Sequence, residues 1–273
     1  MSEHKKYRLD LSYIGTNYQG WQTQPNGQGV QDYLRRALEI FLRHPVKLIG
    51  ASRTDAGVHA EHQVTCFSTS VCINEGKLLR ALNALTPHDV GIMSIKQVSE
   101  GFHPIFSCTG KVYRYRLWTS ESISPFVDRY VWKVPGSLDI DLIERLSGEL
   151  LGKHDFTSFS ASDSDVTSRV REIRDLFIDK RGPLINIWIV GDGFLKQMVR
   201  IIVGTLVEFG LKKKRFGSIA EILEAMDRKR AGITAPATGL SLVRIYYESI
   251  PSLASIIEES HNGYCMAFSF IVT

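Results

Sequence analysis

Nowhere do these 273 residues string together the ~18 apolar positions that a membrane-spanning helix requires, which excludes a helical integral membrane protein. The start, Met1-Ser2-Glu3-His4-Lys5-Lys6, runs into an alternating strand rather than an apolar signal segment, so a cytoplasmic protein is expected. Cysteine is scarce. Cys66, Cys72, Cys108 and Cys265 have no Cys-x-x-Cys spacing, and Cys66 and Cys108 lie in apolar, strand-like segments. Buried reduced thiols are therefore expected in place of disulfides or zinc ligands. No P-loop, Gly-x-Ser-x-Gly elbow, His-Glu-x-x-His helix or dinucleotide fingerprint occurs, which removes the reaction classes those motifs announce. Apolar residues are not lacking: at 44% hydrophobic and 23% charged, the chain is globular in composition, with length for one large core or two small domains. The net charge of +4 favours an acidic partner and allows nucleic acid without demanding it.

What is present has a clear order. Tyr7 to Ile14 alternates apolar and polar residues with period two and stops at Gly15, as a half-buried strand does. Leu34, Ala37, Leu38, Phe41 and Leu42 predict an amphipathic helix over 31–43, closed by His44-Pro45. Strands are expected over 46–51 and 63–68, a helix through Leu78, Leu79, Leu82 and Leu85, and a strand over 90–98. The order β-α-β-β-α-β then returns: a strand at 111–118, a helix at 140–151, a hairpin over 169–180 and 184–190, helices at 194–209 and 219–226, and a strand at 240–247. This pattern implies an α+β protein of two ferredoxin-like β-α-β-β-α-β halves, whose antiparallel sheets join around a central cleft. The first half is expected over 1–104 and the second over 105–248, leaving 249–273 as a tail of short helix and strand-like end.

The stretch Arg53-Thr54-Asp55-Ala56-Gly57-Val58-His59-Ala60 carries the densest chemistry, a carboxylate between an arginine, a hydroxyl and two small residues. Asp-Ala-Gly is also an ordinary turn, since Asp bonds its own backbone and Gly accepts positive φ. In the other reading, the small residues let a ligand backbone approach and Arg53 holds a phosphate or fixes the charge of Asp55. Arg200 sits in a helix that is apolar nearly all round past Gln197. Its guanidinium needs a carboxylate, for which Asp55 qualifies, or an escape to water. Tyr113 and Tyr115 share one face of their strand, with Arg114 and Arg116 on the other. That is plain sheet surface, or an aromatic platform for a base. Lys212-Lys213-Lys214-Arg215 follows a helix end, either as a solvated cap whose cations offset the dipole or as a phosphate contact. His59 and His62 near Asp55 raise a metal site, for which no further cluster completes the ligand set. On that reading the chain is a metal-dependent hydrolase; on the other the histidines are hydrogen-bonded structure.

Gly20-Trp21-Gln22, Val30-Gln31, the octet Arg53 to Ala60, Gln63-Val64, Phe102-His103, Lys111-x-Tyr113-x-Tyr115, Gly152-x-His154-Asp155-Phe156, Met198-Val199-Arg200-x-x-Val203-Gly204 and Ala235-Pro236-Ala237-x-Gly239-Leu240 together resemble the TruA family of tRNA pseudouridine synthases. The resemblance runs from near Tyr7 to near Tyr247. It implies the pseudouridine synthase fold and isomerisation of uridine to pseudouridine at positions 38, 39 and 40 of the tRNA anticodon stem-loop. It also implies a homodimer with tRNA as partner and with neither metal nor organic cofactor. By the same resemblance Asp55 is the catalytic aspartate, Tyr113 stacks on the target base, Arg200 pairs with Asp55, and Arg53 binds tRNA and helps extrude the uridine. A tRNA-binding protein of this fold without catalysis is the alternative. Three places depart from the family pattern: Phe102-His103-Pro104-Ile105 replaces Phe-His-Ala-Arg, Gly191-Asp192-Gly193-Phe194 replaces Ala-Asn-x-Phe, and Lys196-Gln197 replaces two histidines.

Overall fold

In the computed structural model, residues 4–25, 27–134, 136–163, 166–213 and 217–263 are described, and they form two compact units. The first unit comprises Met1–Thr109 with Ser241–Glu248, the second Gly110–Leu240 with Ser249–Thr273. Both are α+β with largely antiparallel strand pairing.

The first unit runs β1 (Lys5–Tyr13), α1 (Val30–Leu42), β2 (Ile49–Gly50), β3 (His59–Thr69), α2 (Glu75–Leu85) and β4 (Val90–Val98). β1 lies antiparallel between β3 and β4, and β2 pairs with the far side of β3. This is the split β-α-β arrangement of a ferredoxin-like half. Alternation decides the faces: Tyr7, Leu9, Leu11 and Tyr13 are buried, while Lys6, Arg8, Asp10 and Ser12 are half-buried. α2 begins where the Asn74 side chain accepts the Lys77 N–H, and α1 ends where Arg43 turns left-handed at φ 59°. The strand expected over 46–51 contracts to two residues, and the one expected to start at Gln63 starts at His59.

The second unit contains β5 (Gly110–Trp118), α3 (Pro125–Asp128), β6 (Trp132–Lys133), α4 (Ile140–Ser147), β7 (Gly152–Asp155), β8 (Val170–Arg181), β9 (Leu184–Gly191), α5 (Met198–Gly210) and α6 (Ile219–Ala225). β9 pairs antiparallel with both β5 and β8, and β7 borders β8. α5 starts four residues later than its apolar pattern suggests, because Gln197 sits at φ 61°. β10 (Leu240–Tyr246) belongs almost wholly to the first unit, where Ser241 and Leu242 pair in parallel with His59 and Ala60. α7 (Leu253–Gly263) follows, longer than the short helix expected there; the strand-like end expected over 264–272 lies outside the described residues.

One expectation about β5 is overturned. Arg114 and Arg116 are buried, not sheet surface, at 3% and 7% exposure. Arg114 lies 4.8 Å over the Trp188 ring and donates from Nη1 to Ser260 Oγ of α7 at 3.1 Å. The thiols divide as well: Cys66 is buried, with burial pushing its pKa up to about 12, whereas Cys72 is exposed and Cys108 is half-buried in a turn rather than a strand.

On the half-buried face of β1, Asp10 gathers four donors. Arg8 reaches it at 2.9 and 2.7 Å, Ser94 Oγ at 2.5 Å and His62 Nε2 at 3.1 Å. Burial by itself raises the Asp10 carboxyl, but the hydrogen bonds from His62, Ser94 and Arg8 and the Arg8 charge outweigh it and hold the group at about 2 against an ordinary 3.8. A depressed carboxyl adds stability above its unfolded pKa and loses it as pH falls through the folded one. Between about pH 4 and pH 2 the wild type is therefore expected to lose about 1–2 kcal/mol from this group, after allowance for solvent screening. Urea titrations of wild type and Asp10→Asn across that range check it: the two stability curves converge at the acid end, and parallel curves contradict the assignment.

Candidate active site

The octet is a clamped loop. Gln63 is fully buried, and its side chain works in both directions: Oε1 accepts the Ser52 N–H at 3.2 Å and the Val64 N–H at 3.1 Å, while Nε2 donates to Ser52 O at 2.8 Å. Tyr13 OH and Thr54 Oγ1 meet at 2.7 Å, and the Gln63 amide comes within 3.5 Å of the same phenol. Burial pushes the Tyr13 phenol up to about 12, so it stays a neutral hydrogen-bonding group. The Trp21 N–H donates to Thr54 O at 3.1 Å and the Gly57 N–H to Tyr18 O at 3.3 Å.

Glycine is required where the loop is closest. Gly20 has φ +88° and a Cβ there would lie 2.5 Å from Thr54 O; at Gly15 it would lie 1.9 Å from Val58 O. The segment carrying Gly20 and Trp21 is itself held by the first turn of α1. The Val30 N–H donates to Gly20 O, the Gln31 N–H to Trp21 O, and buried Asp32 accepts the N–H groups of Gln24 and Gly29.

On this support the Val58 N–H closes a turn onto Asp55 O at 3.1 Å, with Gly57 at φ +80°. The turn reading of Asp-Ala-Gly and the presentation of a carboxylate are thus compatible. Asp55 is half-buried and Arg53 exposed, two residues apart on the same loop. The histidines following it are structural: His59 Nδ1 accepts the Gly15 N–H at 3.1 Å, and His62 Nδ1 accepts the Ile245 N–H at 3.1 Å while its Nε2 meets Asp10. Among the described residues, no group of three or more His, Cys, Asp or Glu side chains could hold a metal ion.

In the second unit Tyr113 and Tyr115 do share a face of β5. Tyr113 is 6% exposed, and its ring meets Phe194 edge-on at 5.0 Å and 79°. Tyr115 is fully buried; its OH donates to Pro236 O at 2.7 Å, and desolvation raises its pKa far above the ordinary phenol value. Only glycine fits at 239, where a Cβ would sit 2.6 Å from the Tyr115 ring. Arg200 is half-buried on the first turn of α5 and donates from Nε to Ala235 O at 2.8 Å, while the Ala235 N–H returns to Arg200 O. Gly204 admits this strap, since a Cβ there would strike Ile233 O at 1.9 Å. The structure therefore places Arg53 and Asp55 together on one loop, and Tyr113 and Arg200 in the other unit.

A family model described as tRNA pseudouridine synthase matches residues 11–107 and 147–248, which reach into both units. The chain belongs to the tRNA pseudouridine synthase family. Relatives named tRNA pseudouridine synthase A include one from Acetivibrio thermocellus, 42% identical over 243 residues that cover 89% of this chain and 100% of the relative. Another, from Thermoanaerobacter sp. strain X514, is 43% identical over 87% of this chain and 97% of its own, and one from Myxococcus xanthus is 40% identical over 90% and 93%.

Two departures from the family pattern have structural accounts. In Gly191-Asp192-Gly193-Phe194, Asp192 Oδ1 accepts the Glu172 N–H at 3.0 Å, and Phe194 buttresses Tyr113. Lys196 supplies no loose cation, because its Nζ lies 2.6 Å from Asp163 Oδ2, an exposed pair that lowers the Asp163 pKa. Sequence reasoning named Asp55 but missed the roles of Gln63, Tyr13 and Phe194. Gln63-Val64 was visible only as part of the family pattern. Of the four-cation run, Lys212 and Lys213 close the end of α5 and Lys214 and Arg215 lie outside the described residues.

If the loop depends on close backbone approach, Gly20→Ala should lower stability by roughly 1–3 kcal/mol, through a left-handed φ and a backbone clash. Amide exchange should report where the damage goes: Ala56 to Val58 are expected to exchange at least about tenfold faster, with α5 unchanged. Uniform acceleration, or none, would contradict the clamp.

Proposed function

We propose that this protein isomerises uridine to pseudouridine in the anticodon stem-loop of tRNA, at positions 38, 39 and 40, with Asp55 as the catalytic carboxylate. The observation that carries the reading is the family match reaching into both units, combined with a half-buried aspartate on a loop fixed from three directions. In the reaction the N1–C1′ bond breaks, the uracil turns, a C5–C1′ bond forms, and the C5 proton is lost while N1 regains one. An ionised carboxylate starts such a sequence as a nucleophile or by assisting elimination. The target uridine must leave its stack, for which a ring held edge-on by Phe194 provides a fixed platform in Tyr113. Arg200 is the proposed counter-charge to Asp55, and exposed Arg53 the proposed contact to RNA beside the extruded base. The working unit is proposed to be a homodimer in the cytoplasm, with tRNA as its partner, and sedimentation of the free protein tests the dimer.

Asp55→Asn is expected to abolish pseudouridine formation yet leave tRNA affinity within a few fold, because phosphate contacts supply most of the binding. Mapping of the modified base beside a binding titration checks both halves; appreciable turnover by the amide removes Asp55 from the chemistry. Should the wild type bind tRNA without forming pseudouridine, the protein is instead a binding module.

Tyr113→Ala should cost roughly 1–3 kcal/mol of base contact, and Tyr113→Phe little, if the ring face is what the substrate uses. Equilibrium binding of a stem-loop with a fluorescent base analogue at the target separates them, and a large loss in the Phe variant would assign the contact to the hydroxyl.

A further inference from the structure

A cavity of about 620 Å³ lies in the second unit, between the last turns of α5, the helical turn Arg228–Arg230 and the strap that follows it. Its lining is strongly one-signed: Lys213, Arg228, Lys229 and Arg230 against the single carboxylate of Glu208. The wall is built, not incidental. Arg228 donates from Nη1 to Gly232 O at 2.9 Å and from Nη2 to Thr234 Oγ1 at 3.0 Å, and the Gly232 N–H donates to Thr205 Oγ1 of α5 at 2.9 Å. The same strap continues to Ala235, where it meets Arg200.

The end of α5 faces this cavity, and the C-terminal end of a helix carries only about half a negative charge. Its carbonyls are also occupied, since the Lys212 N–H donates to Phe209 O and the Lys213 N–H to Glu208 O. Four cations outweigh that half charge and Glu208 together, so the cavity selects anions. A single inorganic anion would leave most of the volume empty. The apolar side, with buried Phe209 and Ile222 and half-exposed Ile233, suits the ribose or base beside a phosphate.

We propose that this cavity binds a nucleotide of the RNA substrate through its phosphodiester, as an anchoring point separate from Asp55, Arg53, Tyr113 and Arg200. It rests on the reading that the substrate is an RNA. Shared walls also tie occupancy of the cavity to the strap that holds Arg200.

The test is the salt dependence of tRNA binding by the full-length protein. Lys213→Gln, Lys229→Gln and Arg230→Gln are combined, and Arg228 is kept because it holds the strap. Each lost phosphate contact lowers the slope of log K against log salt by roughly 0.7–0.9. The triple variant is expected to lower it by about 2 and to bind tRNA more than about tenfold more weakly at 0.1 M salt. A control triple at exposed cations elsewhere, Lys77→Gln, Arg80→Gln and Lys153→Gln, makes the same charge change and should move the slope by less than about 1. Should the pocket triple melt early, Lys229→Gln alone is expected to lower the slope by roughly 0.7–0.9. An unchanged slope, or one matching the control, overturns the proposal. Uridine monophosphate at millimolar concentration should compete poorly with tRNA; full displacement would assign the cavity to free nucleotides and also overturn it. Pseudouridine formation by the wild type, followed in parallel, keeps the two readings apart: modification with an unchanged slope refutes the cavity alone.

Discussion

A buried amide holds the loop that carries Asp55 in shape. Gln63 on β3 takes the place of water at both the N–H and the C=O of Ser52, the residue before Arg53. Leaving such backbone groups unsatisfied costs about 1–3 kcal/mol each, so loop and strand cannot separate without a large penalty. Tyr13 and Trp21 add two further ties at Thr54, and the glycines at 15 and 20 let the backbones come close enough for them to form. Backbone pinned from β1, β3 and the segment before α1 leaves the half-buried Asp55 carboxylate little freedom to lose, which is how a rigid scaffold prepares a side chain carried on a loop.

The second unit solves the parallel problem for Arg200 with a strap in place of a clamp. α5 is so apolar that its arginine needs polar company, and the chain brings residues 231–237 back across it. Two glycines make room, Gly204 under Ile233 and Gly239 under Tyr115, and the Tyr115 hydroxyl fixes Pro236. Tyr115 therefore does for the strap what Tyr13 does for the octet. Its neighbour Tyr113, two residues away on the same face, meets Phe194 edge-on.

Much of this was legible in the chain. Period-two alternation marked β1 to within two residues, because one of its faces packs against a core, and the strands expected over 90–98 and 111–118 are β4 and β5 to within a residue. β2 was over-read: Val46 and Leu48 are buried without strand pairing, so apolar character there reports burial, not a ladder. The burial of Arg114 was not legible, since its guanidinium meets Ser260 of α7, more than a hundred residues away in sequence. At the site, Asp55 stood out through its small-residue surroundings. The buried amide eight residues later did not, because a glutamine in a strand has no local signature until its partners are known.

The claim that orientation of the octet by Gln63 is what makes Asp55 effective is open to one direct measurement. Tritium at uracil C5 of unmodified tRNA must be released when pseudouridine forms, so release by folded Gln63→Leu enzyme at saturating tRNA isolates turnover from binding. Turnover at least about a hundredfold below wild type, with tRNA affinity within a few fold, is the predicted result, equivalent to about 2.7 kcal/mol of lost transition-state stabilisation. Near wild-type release from a folded variant would contradict it, and would mean that the loop holds its carboxylate in place without the amide.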